Sequence, residues 1–230
     1  MSEASDPILY SYFRSSCSAR VRIACHLKGI NLRYKYVNLL KSEQLSSEYT
    51  GTNPCATVPT LIIPASNALN ETKSDIVIRQ SVAVLEFLEE FSGYADKPKL
   101  LPQNALDRYK VRELVDVVCC DVQPPSNMNI LKRVDSLNSD RTVWAKEVMS
   151  RGLAAYESLL VSYAGKYSFG DEITMADVCL APAVEGAMRW GVDIAGFPNI
   201  SRVYSAIRVV DAFVKGDWRH QEDTPEEFRV

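Results

Sequence analysis

The sequence has few histidines, no paired Cys-x-x-Cys motif, no long apolar run and no strong excess of either charge. The two histidines and six cysteines do not have the ligand spacing of a zinc site, so no metal is expected. No uninterrupted apolar run approaches the roughly 20 residues that a membrane helix needs. The net charge of −3 without a Lys/Arg block argues against a nucleic-acid partner.

The N-terminus contains Glu3 and Asp6 and lacks the basic and apolar regions of a secretory signal. Together with the cysteine pattern, this favours a reducing, cytoplasmic setting with no membrane association. The 230 residues, 47% hydrophobic and 24% charged, are typical of a globular protein with one large or two small domains.

The first hundred residues alternate between strand and helix patterns in the order β-α-β-α-β-β-α. Strands are predicted at residues 8–13, 34–39, 58–63 and 76–78, and helices at 19–28, 44–49 and 81–91, the last capped by Ser81. A polar loop covers residues 65–75. This order predicts an α/β thioredoxin-like domain over residues 1–95.

Residues 96–103 contain two prolines and two lysines between periodic segments, which is typical of a linker. Beyond it, over residues 104–230, the pattern is helical only, with helices predicted at 107–122, 140–163 and around 200–207. A further helix begins at Thr174, where Asp177 completes a capping-box pattern. The sequence therefore predicts an all-α C-terminal domain.

The segment Ser15-Ser16-Cys17-Ser18-Ala19-Arg20 lies where the first strand gives way to the first helix. Unpaired N–H groups and a partial positive charge at a helix start favour an anion, and a thiolate is an anion. The junction therefore suits either a Cys17 thiolate or a thiol that belongs to a ligand. Cys17 as a buried or incidental thiol remains an alternative.

Two further junctions have the same character. In a thioredoxin-like domain the proline of Val58-Pro59-Thr60 is cis, and the Val58 backbone is free to pair with a peptide-like ligand. The alternative is a trans proline that opens an edge strand. Gln80-Ser81 starts a helix and suits a carboxylate, although Ser81 as a simple cap explains it equally.

Taken together, these motifs resemble those of the zeta-class glutathione transferases, the family that includes maleylacetoacetate isomerase. The resemblance covers nearly the whole chain and implies the glutathione transferase fold. It rests on residues 7–18, 20–24, 27–30, 53–54, 58–61, 80–81 and 170–177.

The resemblance implies a role for each site residue. Ser15 hydrogen-bonds the sulfur of glutathione, Ser16 and Cys17 support that site, and Arg20 lies near the reacting groups. The residues implied to hold glutathione are Ser15, Ser16, Cys17, Gln44, Val58, Pro59, Gln80, Ser81, Gln123 and Asn127. Arg189 is implied to bind a substrate carboxylate; from spacing alone it reads as a solvated charge, and Gln123 reads as a helix end before Pro124.

The implied activity is the glutathione-dependent cis–trans isomerisation of maleylacetoacetate to fumarylacetoacetate in phenylalanine and tyrosine catabolism, with activity on small α-halo acids. A homodimer is implied as well. The alternatives are a general glutathione-conjugating transferase and a non-enzymatic partner-binding module. Ala19 stands where the family usually has Trp, residues 64–75 form a longer loop than usual, and Pro125-Ser126 replaces Leu-Gln; these departures bear on substrate preference.

Overall fold

The computed structural model describes residues 5–230, which form two compact units. The first comprises the described residues up to Lys99 together with Val214–Val230, and the second comprises Leu100–Phe213. The predicted division at residues 96–103 differs from this in two ways. Leu100 and Leu101, expected in the linker, are buried, and the last 17 residues cluster with the N-terminal unit.

A four-stranded sheet forms the centre of the first unit, with strand order β2-β1-β3-β4. The strands are β1 Ile8–Ser11, β2 Arg33–Tyr36, β3 Thr60–Ile63 and β4 Ile76–Arg79. β2 is parallel to β1, whereas β3 is antiparallel to both β1 and β4. The predicted α/β class and the order of strands and helices along the chain are confirmed, with each strand shorter than or close to its predicted length.

Three α-helices accompany this sheet: α1 Ser16–Leu27, α2 Ser47–Thr52 and α3 Ser81–Glu90. α1 begins earlier than predicted because Ser15 caps it, and it ends before Gly29, whose φ of 62° is a left-handed conformation that glycine adopts without strain. α1 packs against α3, and Leu9, Leu61 and Leu85 are fully buried in this unit.

A buried ion pair joins the C-terminal ends of α1 and α3. Lys28 Nζ contacts Glu89 Oε1, and both side chains are almost completely shielded from solvent. Lys28 also donates to the Pro98 carbonyl at 2.7 Å, and Lys99 Nζ donates to the Glu89 carbonyl at 3.1 Å. Because an unpaired charge is very costly to bury, this pair requires α1, α3 and the chain at residue 98 to keep one arrangement.

The C-terminal segment belongs to the first unit because it packs against α1 without an intervening side chain. A Cβ added at Gly216 would lie 2.4 Å from a side-chain carbon of Ile23, so only glycine permits this approach. The ring centroids of Trp218 and Phe13 lie 6.3 Å apart, so the two side chains are neighbours. The prediction of one helical domain over residues 104–230 did not include these contacts, because they join residues far apart in the chain.

The second unit is helical. Its helices are α4 Ala105–Asp116, α5 Met128–Ser136, α6 Arg141–Tyr163, α7 Met175–Arg189 and α8 Pro198–Ile207, followed by α9 Asp211–Gly216, which crosses the unit boundary. α6 packs against α4, α5, α7 and α8. None of the helices found in residues 5–230 is long and apolar enough to cross a membrane.

The predicted helix at 107–122 consists of two parts. α4 is followed by a π-helical segment, Val117–Val122, where the Gln123 N–H donates to the Val118 carbonyl five residues earlier. Val122 packs directly on Gly152 of α6, where any Cβ would clash with the valine methyl group. Hydrophobic periodicity does not distinguish a π segment from an α-helix, so the sequence predicted one continuous helix.

The capping box predicted at Thr174 is confirmed at the start of α7. One carboxylate oxygen of Asp177 accepts from the Thr174 N–H at 2.8 Å, and the other accepts from the Ser168 N–H at 2.8 Å. The Thr174 hydroxyl also lies 3.2 Å from Asp177. Burial raises the pKa of the Asp177 carboxyl, and the hydrogen bonds, which by themselves lower this pKa, only partly offset the effect.

We expect Asp177→Ala to lower the free energy of unfolding by about 3 kcal/mol, because it leaves buried donors without an acceptor. Glu172→Ala, which removes an exposed carboxylate five residues earlier, serves as the control and should change stability by less than about 0.5 kcal/mol. Urea unfolding followed by circular dichroism measures both. Equal stability of the two variants would contradict this role of Asp177.

Candidate active site

The sheet register brings the predicted site residues of the first unit to one edge. Tyr10, near the end of β1, pairs with Thr60 at the start of β3, and Thr60 pairs with Arg79 at the end of β4. Hence the chain that follows β1, precedes β3 and follows β4 lies at the same edge of the sheet. The three junctions identified from sequence, at Ser15, Val58 and Gln80, are thereby placed side by side.

Ser15 occupies the N-cap position of α1 and is half-buried. Its Oγ accepts a hydrogen bond from the Ser18 N–H at 3.1 Å, and its own N–H donates to the Tyr12 carbonyl at 3.0 Å. Because the hydroxyl uses a lone pair for capping, its proton remains available for donation to a ligand. The adjacent Ser16 and Cys17 lie in the first turn of α1, where helical geometry leaves N–H groups without an intrahelical partner.

α1 and α3 are joined at their N-terminal turns by Arg20 and Ser81. Arg20 Nη1 donates to Ser81 Oγ at 3.0 Å, and both residues are buried. A buried guanidinium adds positive charge next to two helix N-termini, which are themselves positive. The edge is therefore electrostatically suited to anionic groups.

Ser81 is the first residue of α3, and the prediction that it caps this helix is wrong. Gln80 occupies the cap position with φ of 70° and makes no side-chain cap bond. The chain must turn sharply from β4 into α3, and this turn imposes the positive φ on a residue other than glycine. Such backbone strain is concentrated at ligand-binding sites.

The peptide bond between Val58 and Pro59 is cis, as predicted. Val58 is buried, and no backbone hydrogen bond to its N–H or carbonyl is found among residues 5–230. The preceding loop is held by Tyr49 OH and Asn53 Nδ2, which donate to the Thr57 carbonyl at 2.6 and 2.8 Å. Val58 thus presents free backbone groups from a fixed loop, the arrangement needed to pair with an extended peptide.

Polar side chains at Gln44, Ser18 and Gln80 also bear on the predicted site. Within the part of the chain that the structure describes, the buried Gln44 Oε1 and Ser18 Oγ have no hydrogen-bond partner. Gln80 Nε2 lies 3.8 Å from the thiol of Cys55, which is exposed. The sequence analysis assigned no role to Ser18 or Cys55; the position of Cys55 three residues before Val58 is the only local signal for it.

The thiols differ in environment. Burial raises the pKa of Cys25, on α1, to about 12, so this thiol stays protonated at neutral pH. Cys17, in contrast, is half-buried in the first turn of the same helix. The structure therefore separates an inert core thiol from one at the positive end of α1.

Gln123, Asn127 and Arg189 belong to the second unit. Gln123 follows the π-helical segment, and Asn127 caps α5 by accepting from the Asn129 and Ile130 N–H groups at 3.0 Å each. Arg189 is the exposed last residue of α7. A groove of about 560 Å³ along α4 contains none of these three residues.

The chain belongs to the glutathione S-transferase family. The glutathione S-transferase N-terminal domain matches residues 14–90, and the C-terminal domain of the same family matches residues 104–208. The first match contains all three junctions at the sheet edge, and the second contains the α4 to α8 region.

Among its relatives, the chain is 50% identical to maleylacetoacetate isomerase maiA of Aspergillus fumigatus, over 96% of this chain and 94% of that protein. It is 43% identical to the maleylacetoacetate isomerase of Rattus norvegicus, over 99% and 100% of the two chains. The maleylacetoacetate isomerase of Anaeromyxobacter dehalogenans, solved with glutathione in its active site, has a TM-score of 0.84 at 34% identity, covering 96% and 98%. A bacterial zeta-class maleylpyruvate isomerase has a TM-score of 0.85 at 37% identity, covering 95% and 100%.

Gln80→Gly is expected to raise the free energy of unfolding by about 1 kcal/mol, because glycine adopts the positive φ without strain. We expect the same change to weaken glutathione binding by about tenfold, since the amide side chain and the fixed start of α3 are lost. Thermal unfolding and calorimetric titration measure the two effects.

Asn138→Gly is the matched control, because Asn138 also has a positive φ, of 55°, but lies in the second unit outside the predicted site. It should leave glutathione affinity unchanged. Stability and affinity that both fall in Gln80→Gly would contradict the assignment of strain to Gln80.

Proposed function

We propose that this chain catalyses the glutathione-dependent cis–trans isomerisation of maleylacetoacetate to fumarylacetoacetate. The observation that carries the proposal is the Ser15 hydroxyl, which caps α1 through a lone pair and keeps its proton for a ligand thiolate. The 43–50% identity to maleylacetoacetate isomerases over nearly the full length supports this substrate. The reaction belongs to phenylalanine and tyrosine catabolism.

The residues at the sheet edge fit glutathione, a tripeptide with two carboxylates, an amine and a thiol. The backbone of Val58 suits its peptide groups, and the start of α3 at Ser81 suits a carboxylate. The amide oxygen of Gln44, buried without a partner among the described residues, is an acceptor for a ligand N–H. Gln80, at the same edge, adds a further amide, and Gln123 and Asn127 remain predicted contacts from the second unit.

Ser15 and the first turn of α1 make the thiolate accessible at neutral pH. A thiol with a pKa near 8.5 needs about 1.4 kcal/mol of preference for the anion for each unit that its pKa falls. One hydrogen bond to a charged acceptor contributes roughly 1.5–3 kcal/mol. The hydroxyl of Ser15 and the N–H groups of Ser16 and Cys17 are therefore sufficient to ionise the thiol.

When bound, glutathione supplies a thiolate nucleophile for reversible addition to the conjugated cis double bond, which permits rotation before release. Ser15 holds the sulfur through the reaction, and Arg20, which binds the Ser81 hydroxyl, contributes positive charge near the start of α3. Arg189 is the proposed partner of a substrate carboxylate. The same arrangement suits displacement at small α-halo acids.

The second candidate function is conjugation of glutathione to a wider set of electrophiles. Ala19, in the first turns of α1, is buried with 5% exposure; a small side chain at this position, where the family usually has Trp, favours a reshaped substrate site. The two functions differ in whether glutathione is consumed.

We also infer a homodimer and a cytoplasmic location. The family resemblance supports the dimer, which light scattering at micromolar concentration distinguishes from a monomer. Within residues 5–230 no disulfide joins any of the six cysteines, and this supports a reducing compartment. Fractionation of cells that express the tagged chain checks the location.

The first test is isomerisation of maleylacetone, a stable analogue, followed by absorbance with and without glutathione. We expect conversion that requires glutathione and leaves the concentration of free thiol constant, because the cofactor is released unchanged. Absence of conversion, together with loss of thiol in the presence of a halogenated electrophile, would instead favour the conjugating transferase.

Ser15→Ala is expected to lower turnover by about 10- to 100-fold, because one hydrogen bond to the thiolate is lost, while glutathione still binds. Because Ser15→Ala also removes a helix cap, Ser46→Ala is the matched control. Ser46 caps α2 in the same way, by accepting a hydrogen bond at 3.2 Å from the N–H of the residue three positions later. Ser46→Ala should lose comparable stability and retain turnover within about twofold. Full turnover in Ser15→Ala would refute the role of Ser15.

A further inference from the structure

The loop from Ser11 to Ser15, which delivers Ser15 to the start of α1, is held from one side by Arg22. Its guanidinium donates to Ser11 Oγ and to the Phe13 carbonyl, each at 3.1 Å. Arg22 is fully buried on α1, and burial lowers its pKa to about 10, so it remains charged at neutral pH. Its Nε also donates to the Gly216 carbonyl at 3.0 Å, which ties the loop to the C-terminal segment.

Asp223, in that C-terminal segment, holds the same loop from a second side. Its Oδ2 accepts from the Phe13 N–H at 2.7 Å, although the two residues are 210 positions apart in the chain. Both backbone polar groups of Phe13, two residues before Ser15, therefore bind charged side chains, the N–H to Asp223 and the carbonyl to Arg22.

Asp223 is itself held in position. Gln221 Nε2 donates to the carbonyls of Lys215 and Asp217 at 2.9 and 2.6 Å, and Thr224 Oγ1 donates to the Trp218 carbonyl. Hydrogen bonds within the segment from Lys215 to Thr224 therefore hold its conformation. It presents the carboxylate of Asp223 to Phe13 as a fixed acceptor.

We propose that Asp223, acting with Arg22, is a positioning residue that fixes the Ser11–Ser15 loop so that the Ser15 hydroxyl points at the ligand thiol. This rests on the proposed role of Ser15. The four residues that connect β1 to α1 have several accessible conformations, and a hydroxyl that rotates away from the sulfur loses most of its hydrogen bond to it. The last residues of the chain would therefore determine the acidity of a thiol bound at the other end of the sequence.

The test is the pKa of the thiol of bound glutathione, measured from thiolate ultraviolet absorbance during a pH titration. We expect Asp223→Ala to raise this pKa by about one unit and to lower turnover of maleylacetone by about tenfold, with glutathione affinity within about threefold of wild type. Asp223→Asn keeps an acceptor oxygen for the Phe13 N–H. In this variant the thiol pKa and the turnover should therefore be close to the wild-type values. Glu222→Ala removes the neighbouring exposed carboxylate, which contacts Tyr36 OH instead, and should behave as wild type.

A double-mutant cycle decides whether Asp223 acts through Ser15. In the Ser15→Ala background, Asp223→Ala should raise the thiol pKa no further, whereas additive effects would overturn the proposal. A lower melting temperature with an unchanged thiol pKa in Asp223→Ala would also overturn it, since Asp223 would then only stabilise the fold. If the alanine variant does not fold, Asp223→Glu, which displaces the carboxylate by one methylene, should give an intermediate rise in the thiol pKa, and no rise would count against the proposal.

These outcomes are separable from failure of the proposed function. If wild-type protein ionises bound glutathione but does not isomerise maleylacetone, the isomerase assignment fails, and the titration still tests Asp223. If the bound thiol has the pKa of free glutathione in wild type, the roles of Ser15 and Asp223 are both overturned.

Discussion

The antiparallel pairing of β3 with both of its neighbours determines where the chemistry of the first unit lies. Because Thr60 pairs with Tyr10 on one side and Arg79 on the other, the junctions next to these residues lie at one edge. A slip by one residue would turn every side chain of β3 to the opposite face. The buried leucines of the sheet prevent that slip, so hydrophobic packing in the core also sets the geometry of the site.

Buried polar groups impose a second constraint on the same region. Arg22 and Lys28 are each at most 1% exposed, and the hydrogen bonds of Arg22 to loop carbonyls and the ion pair of Lys28 with Glu89 make burial of their charge tolerable. Apolar packing alone tolerates small shifts, whereas these directional contacts require particular partners. The C-terminal segment supplies one such partner, the Gly216 carbonyl that binds Arg22, which explains why this segment is part of the N-terminal unit.

The features that depend on neighbouring residues were predictable. The Thr174–Asp177 capping box and the order of strands and helices along the first unit follow from local patterns, and the structure confirms them. The strained cap at Gln80 was missed because nothing in the dipeptide Gln80-Ser81 indicates a positive φ. At the site, the residue types at the three junctions were identified from sequence, but the Arg20–Ser81 contact was not, since 61 residues separate the partners.

The sequence by itself determined the four strands, most of the helices, the family and the residue types predicted to meet a thiol, because helix caps, periodicity and motifs are properties of a few consecutive residues. Only the tertiary structure decided that the last 17 residues join the first unit and that Asp223 binds the Phe13 N–H. Such contacts result from the balance of packing and buried hydrogen bonds over the whole unit, so they cannot be predicted from a few consecutive residues.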